Sequence, residues 1–194
     1  MNTEINTSNK LPRHLDNPID LWICDIGNQL DPLFVQMNMT PNKLTTISGI
    51  FGLLTVYCLQ KKIKYIPGIL FFIAYMFDCF DGLYARKHNM TSKFGAYYDV
   101  IKDLTVMGLV SYVLYKRHKM YALYFTLVLY MCGPHLGCQE HHYRMNNPGK
   151  MHSDLLSLCT LMCPFKDVDH IMQYTRYTGT GTANLLASII LFFV

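Results

Sequence analysis

Residues 78–103 read DCFDGLYARKHNMTSKFGAYYDVIKD and place four aspartates in a membrane-like part of the chain: Asp78, Asp81, Asp99 and Asp103. An ionised carboxylate in hydrocarbon costs several kcal/mol unless it is paired, bound to a metal or solvated in a polar cavity. We therefore expect these aspartates to form a functional site inside a membrane-embedded helical fold.

Two groups of residues in this stretch recur at helical intervals of three and four. The first group is Asp78, Asp81, Gly82, Ala85 and Arg86, and the second is Gly95, Asp99 and Asp103. Each group shares one face of a helix because residues at these intervals stack on each other. The short polar segment 87–94 between them predicts an antiparallel helical hairpin whose acidic faces meet just below the membrane interface.

The chemistry of these side chains predicts a diphosphate site. A ligand set of four carboxylates, with no His or Cys in the set, suits hard cations such as Mg²⁺, Mn²⁺ or Ca²⁺. Two ions fit among the four carboxylates. Gly82, Ala85 and Gly95 keep side-chain bulk away, so a ligand or helix can pack closely there. Arg86 adds a planar cation suited to phosphate oxygens. Divalent metals in such a site neutralise phosphates and the charge of a leaving group.

Composition places the chain among membrane proteins. It has 194 residues, of which 51% are hydrophobic and 15% charged, below the roughly 25% charged that is typical of soluble domains. Six apolar runs predict six transmembrane helices, the last two being short for a span: 44–60, 65–83, 100–115, 120–138, 155–165 and 182–194. Residues 1–17 lack the apolar stretch of a secretory signal, so the first span is expected to direct insertion.

The residues before the first span divide into two predicted parts. Residues 1–17 are polar and predict a flexible tail. In residues 18–39, apolar side chains recur at steps of three and four, while Asp20 and Asp31 fall away from that stripe. This pattern predicts an amphipathic juxtamembrane helix lying in the interface, with a helix packed on the domain as the alternative.

The transmembrane domain is expected to span residues 40–194, with Thr40 as the N-cap of its first helix and Pro41 in the first turn. Asn42 and Thr45 lie three residues apart at the mouth of that helix. Two interpretations of this pair stand equally: helix capping and interfacial solvation, or polar contacts to a ligand beside the next two spans.

Cysteine usage and charge exclude two other classes of protein. The seven cysteines are scattered through apolar segments, unlike a secreted disulfide framework, and we expect them to be reduced: Cys24, Cys58, Cys79, Cys132, Cys138, Cys159 and Cys163. The net charge of +4 comes from short basic clusters beside the spans. These clusters favour membrane flanks over nucleic-acid binding, and they divide too evenly to orient the protein.

Three further features have a structural and a functional interpretation. The series Cys132, His135, Cys138 and His141 has zinc-like spacing, but Gly133-Pro134 interrupts it and favours the end of a span. The polar residues around it line an acceptor pocket or are solvated: His135, Glu140, His141, His142 and Arg144. Lys102 either helps to bind an anionic acceptor or pairs with a carboxylate.

The stretch 78–103 resembles the CDP-alcohol phosphotransferase family, whose signature reads D-x2-D-G-x2-A-R-x8-G-x3-D-x3-D, and it matches every fixed position. Residues 41–45, PNKLT, are similar to the P-N-x-x-T that often opens the first span of the family. The resemblance extends to six spans after an interfacial helix and weakens beyond about residue 138.

The resemblance implies a role for each motif residue. Asp78 and Asp99 would bridge two Mg²⁺ ions, with Mn²⁺ as an alternative, while Asp81 and Asp103 would complete one site each. Asp103 would also be the general base that activates an acceptor hydroxyl as CMP leaves. The nucleotide would be held by Gly82, Arg86, Ser92, Asn42 and Thr45.

We therefore predict a membrane enzyme of phospholipid synthesis that transfers a substituted phosphate from a CDP-alcohol to a hydroxyl acceptor. CDP-diacylglycerol is the favoured donor, because the alternative reaction of CDP-choline or CDP-ethanolamine with diacylglycerol is associated with longer chains. A non-catalytic metal-binding scaffold or cation transporter is the alternative of another class. The resemblance also implies a homodimer, and the use of cytidine nucleotides implies an active site facing the cytosol.

Overall fold

The computed structural model describes residues 10–146, 158–163 and 168–194, and the regular elements in these ranges are all helical. The α-helices are α1 Pro18–Gln36, α2 Pro41–Gln60, α3 Ile66–Lys87, α4 Lys93–Arg117, α5 Lys119–Met131, α6 Gly133–Asn146, α7 Val168–Thr175 and α8 Thr180–Phe192. Two 3-10 turns, Leu158–Met162 and Arg176–Thr178, lie among them. The predicted all-α fold is confirmed.

The helices that carry the candidate site begin at side-chain caps. Thr40 accepts a hydrogen bond from the backbone N–H of Lys43 at 3.3 Å, and Pro41 follows in the first turn of α2. Ser92 caps α4 by accepting from the N–H of Gly95 at 3.0 Å. Each cap satisfies a backbone donor that the first helical turn leaves unpaired. The α3–α4 loop is therefore only residues 88–92.

Helix α2 joins the two helices of the hairpin. It packs closely along both α3 and α4, while α3 and α4 approach each other's backbone far less. Glycines allow this contact, since a Cβ at Gly52 would lie 2.7 Å from the Val106 side chain of α4. The wider separation of α3 from α4 leaves room for a site between them.

Two apolar clusters hold the helices around that site. The larger joins α2, α3, α4, α5 and α8 through Val56, Leu59, Phe71, Val106, Val110, Val113, Leu114, Ala122, Phe125, Ala187 and Leu191. The other fixes α1 against α2 and α3 through Ile23, Phe34, Leu44, Phe80 and Tyr84. Close packing of these side chains stabilises the bundle through van der Waals contacts between the helices.

The outward faces of several helices are apolar. Large hydrophobic side chains are exposed along α2, α4 and α5, including Leu53, Leu104 and Leu127. Among the described helices, Ile66–Lys87 alone combines the length and the apolar composition of a membrane span. Apolar surface on this scale is typical of a face covered by lipid or protein.

The second half of the chain differs from the predicted spans. The run 120–138 is divided between α5 and α6, because Gly133-Pro134 begins a new helix. Within the predicted span 155–165, the described part is a five-residue 3-10 turn and Cys163. The rest of that run lies outside the described residues.

The N-terminal region also corrects the sequence prediction. Residues 10–17 are not a flexible tail, because Leu11 and Leu15 are buried beside α6 and α7. Two leucines four residues apart produce too weak a signal among polar neighbours to be recognised. The following helix ends at Gln36 rather than residue 39, and Asp20, which was expected on its polar face, is buried.

The prediction of seven reduced cysteines is wrong at one pair. Cys138 in α6 forms a disulfide with Cys163, across 25 residues of sequence. The fold brings the two Cα atoms to 4.8 Å, a distance that sequence spacing does not reveal. Because the Cys138 sulfur is bonded to carbon and sulfur, the series 132–141 does not provide four zinc ligands.

Candidate functional site

Helices α3 and α4 bring three of the four signature aspartates together. One carboxylate oxygen from each of Asp78, Asp99 and Asp103 lies within 4.8 Å of the others. Asp78 projects from α3, and the other two lie one turn apart on α4. The predicted meeting of the acidic faces therefore occurs at these three residues.

Lys102 places a positive charge among these carboxylates. Its ammonium nitrogen lies 3.1 Å from Asp99 Oδ1 and 2.7 Å from Asp103 Oδ1, and it also donates a hydrogen bond to Asp78 Oδ1. It makes a longer contact of 3.3 Å with the Ser48 hydroxyl. Only 8% of the side chain is exposed. Of the two interpretations from sequence, the structure contains the ion pair.

Asp81 occupies a neighbouring position outside the three-acid group. Its Oδ2 accepts a 2.6 Å hydrogen bond from the Thr45 hydroxyl of α2. The Thr45 hydroxyl also lies 3.1 Å from the Pro41 carbonyl, the usual arrangement for a helical threonine. Thr45 thus links the opening of α2 to the signature stretch, and both side chains are buried.

The residues present fit a divalent cation. The three acids offer oxygen donors, which hard cations prefer. Asp99 Oδ1 is buried and has no hydrogen-bond partner in the described part of the chain, since its contact with Lys102 lacks hydrogen-bond angles. The ammonium of Lys102 among the same oxygens demonstrates that their surroundings accommodate a cation.

A cavity of about 200 Å³ opens beside the acids, between the starts of α2 and α4 and the end of α3. The five predicted nucleotide residues line it: Asn42, Thr45, Gly82, Arg86 and Ser92. The two predicted close-packing positions, Ala85 and Gly95, line it as well, together with Asp81 and Asp99. A Cβ at Gly95 would lie 3.0 Å from Ser92 Oγ and 3.1 Å from Asn42 Oδ1. Close packing at Gly95 therefore holds two polar side chains at the cavity wall.

A second, larger cavity of about 670 Å³ meets the first at Asp81, Gly82, Arg86 and Asp99. Asp78, Asp103 and Lys102 face this second cavity. Its remaining wall is largely apolar and includes Phe71, Val106, Leu129 and Met162. Asp81 and Asp99 therefore stand between a smaller space, lined by many polar and charged side chains, and a larger space with largely apolar walls, which Asp78 and Asp103 face.

Comparison with protein families identifies the fold that carries this arrangement. The model of the CDP-alcohol phosphatidyltransferase family matches residues 38–191. The chain belongs to this family. The match extends from before α2 to the last turn of α8 and contains the complete acidic site, so it reaches well beyond residue 138, where the sequence resemblance weakens.

Individual members of the CDP-alcohol phosphatidyltransferase family match about half of the chain or less. A CDP-diacylglycerol–glycerol-3-phosphate 3-phosphatidyltransferase of Rickettsia typhi is 32% identical over 97 residues, which cover 48% of this chain and 54% of the relative. The Wigglesworthia glossinidia brevipalpis protein of the same name is 34% identical over 67 residues, covering 34% and 37%. The chain thus spans about half the length of its relatives or less. No solved structure matches it.

Sequence analysis missed part of the smaller cavity. Lys10 and Tyr143 line it beside Glu140, opposite the family signature. Glu140 was considered for an acceptor pocket, whereas Lys10 was placed in the tail. His135, from the same group of candidates, is buried and lies 3.1 Å from the Thr175 hydroxyl. The contact between Lys10 and Glu140 joins segments 130 residues apart, which no local sequence pattern indicates.

Proposed function

We propose that this chain is a phosphatidyltransferase that moves a phosphatidyl group from CDP-diacylglycerol to a hydroxyl acceptor and releases CMP. The observation that carries the proposal is the convergence of Asp78, Asp99 and Asp103 at a larger, mostly apolar cavity that adjoins a smaller one lined by many polar side chains. A nucleotide joined to a lipid through a diphosphate needs polar contacts for the nucleotide, a metal site for the diphosphate and an apolar space for the lipid. The names of the relatives support CDP-diacylglycerol as donor.

The smaller cavity is proposed to hold the cytidine nucleotide. Arg86 supplies a planar cation for phosphate oxygens, and Gly82 leaves space beside it, since a Cβ there would lie 3.1 Å from the guanidinium. Polar contacts are supplied from the starts of two other helices, by Asn42 and Thr45 of α2 and by Ser92 before α4. Ala85 and Gly95 allow the ligand to approach the helix backbones.

The four aspartates are proposed to hold two Mg²⁺ ions, for which Mn²⁺ can substitute. When bound, these ions neutralise the diphosphate and the charge that develops on the departing CMP. Asp99 lines both cavities, and Asp78 and Asp103 line the larger one. The Thr45 hydrogen bond orients the Asp81 carboxylate.

Asp103 is proposed to be the general base. Its carboxylate accepts the proton of the acceptor hydroxyl while the acceptor oxygen forms a bond to the β-phosphorus. The bond from that phosphorus to the bridging oxygen breaks, and CMP departs with the electron pair. Asp103 lines the larger cavity, which would admit both the acceptor and the lipid portion of the donor.

The protein is proposed to span the membrane several times, with α1 in the interface and the site facing the cytosol. Apolar side chains exposed on α2, α4 and α5 support a lipid-facing surface. Six spans and a homodimer stay predictions. Proteolysis of intact and broken cells maps the orientation, and light scattering of the purified protein measures the oligomeric state.

The proposal is tested by release of CMP from purified protein in lipid nanodiscs containing Mg²⁺. CDP-diacylglycerol is offered with glycerol 3-phosphate, serine, inositol or glycerol, and CDP-choline or CDP-ethanolamine with diacylglycerol. We expect CMP and a new phospholipid only with CDP-diacylglycerol. Transfer only from CDP-choline or CDP-ethanolamine would establish the alternative donor. Divalent-cation flux without CMP release would indicate a transporter.

A further inference from the structure

The smaller cavity has a second wall that lies outside the family signature. One side consists of signature residues from α3 and α4 with the start of α2. The other side is formed by Lys10, which precedes α1, and by Glu140 and Tyr143 of α6. Residues remote in sequence therefore enclose a space that the signature alone leaves open.

Lys10 is held at this wall by a buried acid. Its ammonium nitrogen lies 3.0 Å from Glu140 Oε2, and it lies over the Tyr143 ring at 5.8 Å from the centroid. Glu140 is 3% exposed, whereas the Lys10 side chain is 21% exposed. The fixed partner is thus the glutamate, and the lysine reaches from it toward the cavity.

The Glu140 carboxylate contacts two cations, so it does not depend on Lys10 alone. Glu140 is neutralised twice, because its Oε1 accepts a 2.8 Å hydrogen bond from Arg144 Nε while Oε2 contacts Lys10. An ammonium group has three donors, and one is sufficient for the carboxylate contact.

The backbone that carries Lys10 is anchored next to it. Leu11 and Leu15 are buried in a cluster with Cys138, Val168 and Met172. This packing attaches the segment before α1 to α6 and α7. Lys10 is therefore positioned by tertiary contacts on both its backbone and its side chain, which reduces the entropy lost when it binds a ligand.

The position of Lys10 identifies which part of a nucleotide it would meet. It lines both cavities and shares that property with Asp81, Gly82, Arg86 and Asp99. A CDP-linked lipid must place its phosphates at this junction, with the nucleoside on one side and the lipid on the other. Two cations from different parts of the chain, Lys10 and Arg86, thus meet at the diphosphate position.

We propose that Lys10, positioned by Glu140, is a second phosphate-binding cation of the nucleotide site. This inference rests on the proposed function. Lys10 donates to a phosphate oxygen of the CDP moiety from the side opposite Arg86, and Glu140 is a positioning residue that keeps the ammonium at the cavity wall. The N-terminal segment thereby becomes part of the donor site.

The test compares nucleotide affinities of the full chain in detergent with Mg²⁺, by calorimetry with CDP, CMP and cytidine. Lys10→Met is expected to weaken CDP and CMP binding by about tenfold, the effect of one charge-assisted hydrogen bond, and to leave cytidine unaffected. Lys10→Arg keeps the charge and should remain within about threefold of the unmodified protein. Lys64→Met, at an exposed loop position, is the matched control and should change none of the three affinities.

Glu140→Gln is expected to weaken CDP binding by a smaller factor than Lys10→Met, with cytidine again unchanged. In turnover, Lys10→Met should raise the KM for CDP-diacylglycerol and leave the KM for the acceptor unaltered. Melting curves establish that each variant is folded.

Equal CDP affinity in folded Lys10→Met and unmodified protein would overturn the inference while the proposed function stands. A change in acceptor KM alone would also overturn it, and failure of the unmodified protein to bind CDP would refute the proposed function itself.

Discussion

Two acidic positions in the described part of the chain have different partners. At the α3–α4 site, Asp78, Asp99 and Asp103 turn oxygens toward one another around the single ammonium of Lys102. Where α1 begins, Asp20 instead accepts hydrogen bonds from Tyr75, from Thr180 at 3.0 Å and from the Gly181 N–H at 3.3 Å.

The comparison separates a binding site from a structural network. Three neutral donors fixed by the fold donate hydrogen bonds to Asp20 and join α1, α3 and α8. Acids that face one another repel, so they depend on a cation. The neutral hydrogen bonds to Asp20 stabilise the fold, whereas the facing carboxylates of the α3–α4 site need a bound cation. Substitutions at each place should therefore have different consequences.

The largest effect is expected from Asp78→Asn. Loss of one charged oxygen ligand should reduce CMP release by at least about a hundredfold, because metal stabilisation of transferred phosphoryl charge contributes several kcal/mol. Asp25→Asn is the matched control, since Asp25 is a surface residue paired with Arg13 at 2.8 Å. Initial rates at saturating Mg²⁺ distinguish the two variants. Equal losses in both would remove the distinction between the acids.

Lys102→Met removes the cation from the acidic site and keeps a side chain of similar length. Three facing carboxylates then lack their ammonium, so the melting temperature in EDTA should fall. Addition of Mg²⁺ should raise it by more than in the unmodified protein. Lys64→Met provides the control. An unchanged melting temperature in EDTA would contradict a stabilising role for the ammonium.

Asp20→Ala should affect stability. It leaves Tyr75 and the Gly181 N–H without their acceptor, at a cost of about 1–3 kcal/mol for each buried group. The melting temperature should fall by roughly 5–20 °C, and Mg²⁺ should not restore it. Asp20→Asn retains an acceptor oxygen and should lose less. Recovery of Asp20→Ala by Mg²⁺ would place this acid in the metal site instead.

The smallest effect concerns Asp16, which precedes α1 and accepts a 2.9 Å hydrogen bond from the Asn17 N–H. Burial, followed by the charge of Asp20, raises the pKa of the Asp16 carboxyl from 3.8 to about 6. The folded state therefore retains this proton more strongly than the unfolded state, and stability decreases as the pH rises from about 4 to about 6.

Asp16→Asn, which carries no ionisable group, should melt a few degrees above the unmodified protein at pH 8, since two pKa units correspond to at most about 3 kcal/mol. The difference should shrink as the pH is lowered through 6 and vanish near 4. Melting curves across this range measure it. A difference independent of pH would show that Asp16 acts through packing rather than charge.

The site residues were predictable from sequence because their pattern is local. Asp78 to Asp103 lie in two consecutive helices, so intervals of three and four identify the shared faces, and Thr40 and Ser92 cap helices within three residues of themselves. What was missed depends on contacts across the chain. Lys10 meets Glu140 over 130 residues, and Cys138 meets Cys163 over 25.

Asp20 illustrates why such features escape a helical pattern. Its position away from the apolar stripe of α1 predicted exposure, yet the N-terminus of α8 covers it with a hydroxyl and a backbone N–H. The sequence identifies the polar face, and only the packing of α8 reveals what covers it. Helical periodicity therefore locates polar residues but does not distinguish solvent from a buried donor.

We propose that the acids between α3 and α4 support transfer of a phosphatidyl group, with Asp103 as the general base. The most direct test is Mg²⁺-dependent CMP release from CDP-diacylglycerol by purified protein and by Asp103→Asn, with CDP affinity measured in parallel. We predict a loss of about 10²–10⁴-fold in rate for the variant, with CDP bound at nearly the same affinity. Comparable rates of CMP release in the two proteins would contradict the account.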